Sequence, residues 1–287
     1  MRGRAPAFSS PGKLAFGAGK AYTQPLSKQI CTKVKRMALG RPLSVQSFCF
    51  REFPDNRKSA ELVKEIGLRG IEICRKHVDF MDPAAHWDVI RVYREAGVSI
   101  ISIGVNKISG NENEDRKLFD FARNAGCQAM SVDFPLSTLD ESLQVAEKLT
   151  EEYDIAIGIH NHGGRHWLGN STSLEWVFGK TSKRIGLSLD TGWALDSRED
   201  PVSWVRKFEE RIHLLHLKDF TFLTNRDPEE AILGKGNLNL PALSAALSET
   251  GFNGISIIEY EGKPSDPVLP IKACVTAIRE TLSSFFD

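Results

Sequence analysis

The chain has 287 residues, 37 of them Lys or Arg and 37 Asp or Glu, and is 41% hydrophobic. The first 51 residues hold ten of the basic side chains and none of the acidic ones, so the remainder carries 27 against 37, a formal −10. A body that acidic argues against an extended nucleic-acid footprint, which needs clustered positive charge, and no run reaches the ~18–20 apolar residues of a membrane span. Five cysteines (31, 49, 74, 127 and 274) occur without a CxxC pair, a pattern of buried thiols in a reducing compartment rather than a disulfide framework.

Residues 1–36 are rich in Lys, Arg, Ser, Gly and Pro and show no apolar periodicity. They lack the apolar core of a secretory signal. A basic, acid-poor, Ser-containing stretch is compatible with an organelle transit peptide, a disordered tail, or an extension ahead of a domain starting at Met37. The expectation is a disordered basic extension over 1–41, one folded domain over 42–287 and a cytoplasmic protein, with organelle targeting left open.

From Pro42 onward, short β-rich runs alternate with helix-length segments. The strands are expected at Leu43–Cys49, Gly70–Ile73, Val98–Gly104, Ala129–Val132, Ile155–His160, Ile185–Asp190, Ile212–Leu217 and Gly254–Glu259. Helices are expected near 57–66, 83–96, 113–125, 137–151, 171–179, 200–208, 239–249 and 267–284, with Gly67, Gly97, Gly126 and Gly251 as left-handed ends. Eight strand–helix pairs in about 245 residues predict an α/β fold of the (β/α)8 TIM-barrel type. The competing doubly wound sheet would want a glycine-rich loop after its first strand, and Cys49 to Pro54 contains no glycine.

Side-chain parity agrees. Ile155, Ile157 and Ile159 share one face of the fifth strand, and Ala156, Gly158 and His160 share the other. The sixth repeats this, with Ile185, Leu187 and Leu189 opposite Gly186, Ser188 and Asp190. Small residues then face the crowded axis, and His160 and Asp190 point inward at the carboxyl end. In the eighth strand Glu259 shares its face with Ile255 and Ile257, which calls for a bulge or a wider bottom layer.

Barrel chemistry sits where the strands end. Here the ends read Gln46, Glu72, Asn106, Asp133, His160 with His162, Asp190, His216 with Lys218, and Glu259 with Glu261. Buried without partners, such groups would cost about 1–3 kcal/mol each. His160, Asp190, His216 and Glu259 end strands five to eight, so two imidazoles and two carboxylates can converge on one divalent ion. Mn, Co, Fe or Zn suits that donor set better than calcium. Lys218 is a candidate for a substrate oxygen or carboxylate, or a partner of Asp219 or Glu261. Glu72 is a candidate acid or hydroxyl acceptor, or half of an ion pair. Trp167 and Trp193 are candidate sugar-stacking faces, with Glu261 and Asp133 as further substrate contacts. His77, His86 and His166 read as surface or loop residues, and Gly234-x-Gly236 as a flexible loop. No nucleophile elbow and no cysteine with a local histidine supports covalent catalysis.

The segments Ile159-His160-Asn161-His162-Gly163-Gly164, Leu189-Asp190-Thr191-Gly192, His213-Leu214-Leu215-His216-Leu217-Lys218-Asp219 and Ile258-Glu259-Tyr260-Glu261-Gly262 resemble the xylose isomerase-like TIM-barrel superfamily. This group of sugar isomerases and epimerases also contains endonuclease IV. The likeness runs from about Pro42 to the end and is densest after residue 155. In its keto-sugar epimerases the metal is held by Glu, Asp, His and Glu, of which Asp190, His216 and Glu259 match the last three. His160 stands where those enzymes carry a glutamate that also transfers a proton. The resemblance implies one divalent ion (Mn, Co, Zn, Fe or Mg), a sugar or sugar-phosphate substrate, and proton abstraction through a metal-stabilised enediolate. His160, His162, Glu259 or Glu72 would be the base. It also implies a homo-oligomer as an expectation, while the −10 body charge and the absence of a long apolar run argue against nucleic-acid and membrane partners. The altered glutamate raises a keto-sugar or cyclitol dehydratase or lyase as the alternative. A non-catalytic sugar-binding barrel is the further one.

Overall fold

The computed structural model describes residues 43–282. The basic extension and Cys31 lie outside the described residues. The first spoke is β1 (Leu43–Gln46), followed by α1 (Asn56–Ile66), β2 (Gly70–Ile73), α2 (Pro83–Ala96), and a third spoke split into β3 (Ser99–Ile103) and β4 (Asn106–Lys107). Next come α3 (Glu112–Ala125), β5 (Ala129–Asp133), α4 (Leu139–Tyr153), β6 (Ala156–His160), α5 (Ser171–Phe178) and β7 (Ile185–Asp190). The chain closes with α6 (Thr191–Asp196), α7 (Pro201–Lys207), β8 (Ile212–Leu217), a hairpin of β9 (Asp219–Phe222) and β10 (Pro228–Ala231), then α8 (Leu240–Glu249), β11 (Ile255–Ile258) and α9 (Val268–Thr281).

All nine strands of the main sheet are parallel, in the order β3-β2-β1-β11-β8-β7-β6-β5-β4. Because β3 and β4 are consecutive pieces of one spoke, the two ends of that order belong together and the sheet nearly closes into an eight-spoked barrel. The expected TIM barrel is therefore the observed architecture. Two details differ. The first strand stops at Gln46, whose side chain accepts the Phe48 N–H and starts a 3-10 turn over Ser47–Phe50. The β9–β10 hairpin and the short α6 are additions that strand–helix alternation does not announce.

Helix ends follow their sequences. Asp55, Asp82 and Asp200 cap α1, α2 and α7 through side-chain oxygens. Gly67, Gly97, Gly126 and Gly251 all take positive φ, as expected.

Inside the barrel the parity is realised in layers. At the bottom, Ala129, Leu214 and Ile257 form a small cluster of their own, with Ile101, Ala156 and Ile255 packed against it. Ile255 and Ile257 thus face the axis below Glu259, and β11 pairs with both neighbours without a register shift, so no bulge is involved. Above them, Ser131 Oγ bonds Ser188 Oγ at 2.8 Å. Gly158 is required at this level, since a Cβ there would sit 2.7 Å from Ser188 N and 2.8 Å from Leu214 Cδ1. The larger apolar cluster lies between strands and helices. Cys49, Cys74, Cys127 and Cys274 are buried and free, and burial pushes each thiol up. Among the described residues no helix is long and apolar enough to cross a membrane.

Candidate functional site

The carboxyl ends of β6, β7 and β8, with the residue after β11, bring His160, Asp190, His216 and Glu259 together so that one donor atom from each lies within 4.8 Å of the others. His160 Nε2 is 3.3 Å from His216 Nδ1, 3.7 Å from Asp190 Oδ2 and 3.9 Å from Glu259 Oε2. His216 Nδ1 and Glu259 Oε2 are 2.6 Å apart. All four are buried, Glu259 the least at 9% exposure.

The local sequence sets each donor. Asp190 is the N-cap of α6: its Oδ1 accepts the Trp193 N–H at 2.8 Å, while Oδ2 is buried with no hydrogen-bond partner. Asn161 clamps the same residue by its backbone, donating to Asp190 O and accepting from Asp190 N. An unpartnered carboxylate oxygen, held rigidly and turned toward two imidazoles and a second carboxylate, is what a bound divalent cation would satisfy. The donor set of two nitrogens and two oxygens fits Zn, Mn, Fe or Co.

Glu72 lies beneath the cluster and is fully buried. Its Oε2 meets His216 Nε2 at 2.8 Å and the Gln46 amide at 2.8 Å, and its Oε1 accepts from Ser102 Oγ at 2.7 Å. It therefore orients the imidazole from behind instead of facing the cavity. Gly104 lets this group approach, because a Cβ there would stand 2.9 Å from Glu72 Oε1 and 2.5 Å from Ser131 Cβ. Burial lowers the proton affinity of His216, but Glu72 and Glu259 overcome it and push the pKa up to about 10. Burial also acts against ionised Glu259, yet Lys218, His160 and His216 hold it well below the usual carboxylate range.

Lys218 is buried and ion-paired with Glu261 and, at 3.2 Å, with Glu230. Asp219 is not its partner. That carboxylate accepts the backbone N–H groups of Gly234, Gly236 and Leu238 at 3.0, 2.9 and 2.8 Å, so the Gly234-x-Gly236 loop is pinned, not flexible. Glu230, from the β9–β10 hairpin, escaped sequence reasoning because no spoke carries it. Burial raises its carboxyl, which reaches about 7 although Lys218 opposes the shift.

His160, His162 and His166 form a row with ring centroids 4.7 and 5.0 Å apart. His162 Nδ1 is buried and unpartnered, and burial, then charge on His160 and His166, lowers its pKa to about 3. Asp133 sits 3.3 Å from His166 Nε2, which gives His166 a partner that a surface reading missed. His166 and His77 lie in loops as expected, but His77 and His86, the latter on α2, are buried on the carbonyls of Phe53 and Phe80. His77 Nδ1 lies 4.0 Å from Cys74 Sγ, so that cysteine does have a local histidine.

The cavity over the cluster has a volume of about 490 Å³ and is lined by His160, His162, Trp193, Glu259 and Glu261 on one side. Arg75 and Lys76, from the end of β2, line it as well. Trp167 and Asp133 are not among its lining residues: the Trp167 indole N–H donates to Phe134 O at 2.9 Å and the ring packs on the core.

The model of the xylose isomerase-like TIM barrel family matches residues 60–281. Among curated proteins the chain is 25% identical over 135 residues to the rhizopine catabolism protein MocC of Rhizobium meliloti, covering 42% of this chain and 41% of that one. The chain thus spans less than half the length of that relative. A solved sugar phosphate isomerase/epimerase from Parabacteroides distasonis superposes with a TM-score of 0.65 at 20% identity, over 88% of this chain and 98% of that one. The IolI protein with a bound zinc atom gives 0.66 at 18% identity, over 86% and 99%. At such identities these structures attest the fold alone.

Proposed function

The chain belongs to the xylose isomerase-like TIM-barrel family, and from that premise we propose that it is a metal-dependent isomerase or epimerase of a sugar or sugar phosphate. The observation that carries this reading is the convergence of His160 Nε2, Asp190 Oδ2, His216 Nδ1 and Glu259 Oε2, with the Asp190 oxygen left unpartnered. These four residues would hold the ion. When bound, a divalent cation supplies Lewis acidity to a substrate carbonyl and acidifies the neighbouring C–H.

The chain's own groups do the rest. Glu259 faces the cavity and stays ionised beside Lys218, so it can accept the proton at a carbon next to the carbonyl. His162 lies on the cavity wall, held neutral by burial, and offers a ring nitrogen to a sugar hydroxyl. Lys218, paired with Glu230, Glu259 and Glu261 and not among the cavity-lining residues, holds those carboxylates in place, while the Trp193 indole on the cavity wall covers the sugar's C–H face. Glu72 sits behind His216, 2.8 Å from its Nε2, and fixes which of its nitrogens faces the centre.

The test is solvent exchange. Metal-loaded protein incubated with a panel of ketoses in D2O incorporates deuterium next to the carbonyl, read by NMR, and loses this with Glu259→Gln. Absence of exchange across the panel with the ion bound overturns the reading. The histidine at position 160, where related epimerases are implied to carry a second proton-transferring glutamate, favours one alternative: a dehydratase or lyase. It starts with the same proton abstraction and then expels a β-oxygen, releasing an unsaturated product that absorbs in the ultraviolet.

A further inference from the structure

The metal-type donors and the carboxylates Glu230, Glu259 and Glu261 gather on the β6–β11 side of the mouth. The loops after β1 and β2 carry the acids Glu52, Asp55, Asp79 and Asp82, none of which lines the cavity, and the bases Arg51, Arg75 and Lys76. Two of these bases, Arg75 and Lys76, line the cavity itself. The two carboxylates that also line it are already engaged: Glu259 with His216 and Lys218, Glu261 with Lys218. Among the described residues neither Arg75 nor Lys76 has a carboxylate partner, and both side chains are exposed. Arg75 is nonetheless oriented, because its Nε donates to Asn106 Oδ1 at 3.3 Å, which leaves both terminal nitrogens for a ligand. Asn106 Nδ2, beside it, is buried and without a hydrogen-bond partner.

A planar guanidinium with two free N–H edges next to a flexible ammonium matches the oxygens of a carboxylate or phosphate. We propose that Arg75 and Lys76 form an anion subsite, so that the substrate is a keto-sugar carrying a carboxylate or phosphate at the end away from its carbonyl. This rests on the isomerase reading and adds the substrate class to it. A neutral sugar would leave the two cations without a counter-charge in the cavity. An anionic one bridges them to the donor cluster and is thereby held in a single orientation.

Calorimetry on the metal-loaded full chain tests it with three probes: D-fructose, D-fructose 6-phosphate and D-fructuronate. The expected result is at least tenfold tighter binding of one anionic probe than of fructose. The preference should shrink at high salt and vanish in an Arg75→Ala/Lys76→Ala variant that keeps its metal content and its thermal unfolding midpoint. Preference for the phosphate or for the uronate assigns the anion. Equal binding of all three probes, unchanged in the variant, overturns the subsite while leaving the isomerase reading intact. Failure of every ketose to bind with metal present overturns both.

Discussion

His216 Nε2 lies 2.8 Å from Glu72 Oε2, a contact made through the barrel interior between strands separated by β1 and β11 in the sheet. A histidine whose second nitrogen rests on a carboxylate has its tautomer and ring orientation set, and such partners matter to the ion almost as much as the ligands. Glu72→Gln is expected to weaken metal affinity about 10- to 100-fold with the fold retained. Competition against a chromophoric chelator reads the change, and unaltered affinity would show that Glu72 serves only the core.

Metal uptake should tighten as pH rises. Without an ion His216 is kept protonated, at a pKa of about 10, by Glu72 and Glu259 after burial has been overcome. A coordinating nitrogen must be free of its proton, so binding releases one, and affinity climbs by up to about tenfold per pH unit below that value. In the metal-free protein the sign is the reverse. The raised pKa contributes stability that is full below the unfolded value near 6.5 and is lost as pH rises through 10. Titrations with Zn at pH 6, 7 and 8, with thermal melts of the metal-free protein over the same range and up to pH 10, check both.

Asp190→Asn separates the helix cap from the ligand. Asn caps helices about as well as Asp, so the Trp193 N–H keeps its acceptor while an amide replaces the free carboxylate oxygen. The expected variant melts within about 1 kcal/mol of the parent and has lost its metal by elemental analysis. Asp190→Ala should lose the metal and about 1 kcal/mol more through the missing cap.

The two histidines should respond differently to truncation. His216→Ala leaves the Glu72 and Glu259 carboxylates facing each other without their shared imidazole, at a cost on the order of 3–5 kcal/mol by urea unfolding. His160→Ala removes a ring whose Nδ1 has no partner, so the fold should tolerate it better. Loss of the ion in the second variant would make His160 a ligand; a retained ion with no turnover would make it a proton-transfer residue.

Asp219→Ala is expected to release the loop it holds. Three backbone N–H groups lose their acceptor together, and hydrogen exchange at Gly234, Gly236 and Leu238 should accelerate while exchange in the barrel strands stays slow.

Much of the barrel and of the candidate site could be read from period-two alternation. Ala156, Gly158 and His160, or Gly186, Ser188 and Asp190, betray the inward face of their spokes, where small residues leave room for the large ones, Leu214 and Ile257, that neighbouring spokes send to the axis. The role of Glu72 could not be read, since it depends on which groups meet across the interior, and strand parity says only that it points inward. Trp167 and Trp193 follow adjacent spokes and look equivalent in the chain, yet one reaches back to the Phe134 carbonyl and the other borders the cavity. Glu230 was hidden for a different reason. It arrives on a hairpin whose return over the mouth obeys no strand–helix rhythm.

The apolar plug of Ala129, Leu214 and Ile257, with the serine pair above it, has a consequence for traffic. Among the described residues it closes the floor beneath the donor cluster with apolar packing. In the proposed reaction a proton taken from the substrate would find no exit through that floor. It would be handed back, or passed outward along the same wall, which would tie the fate of that proton to how tightly the bound molecule seals the entrance.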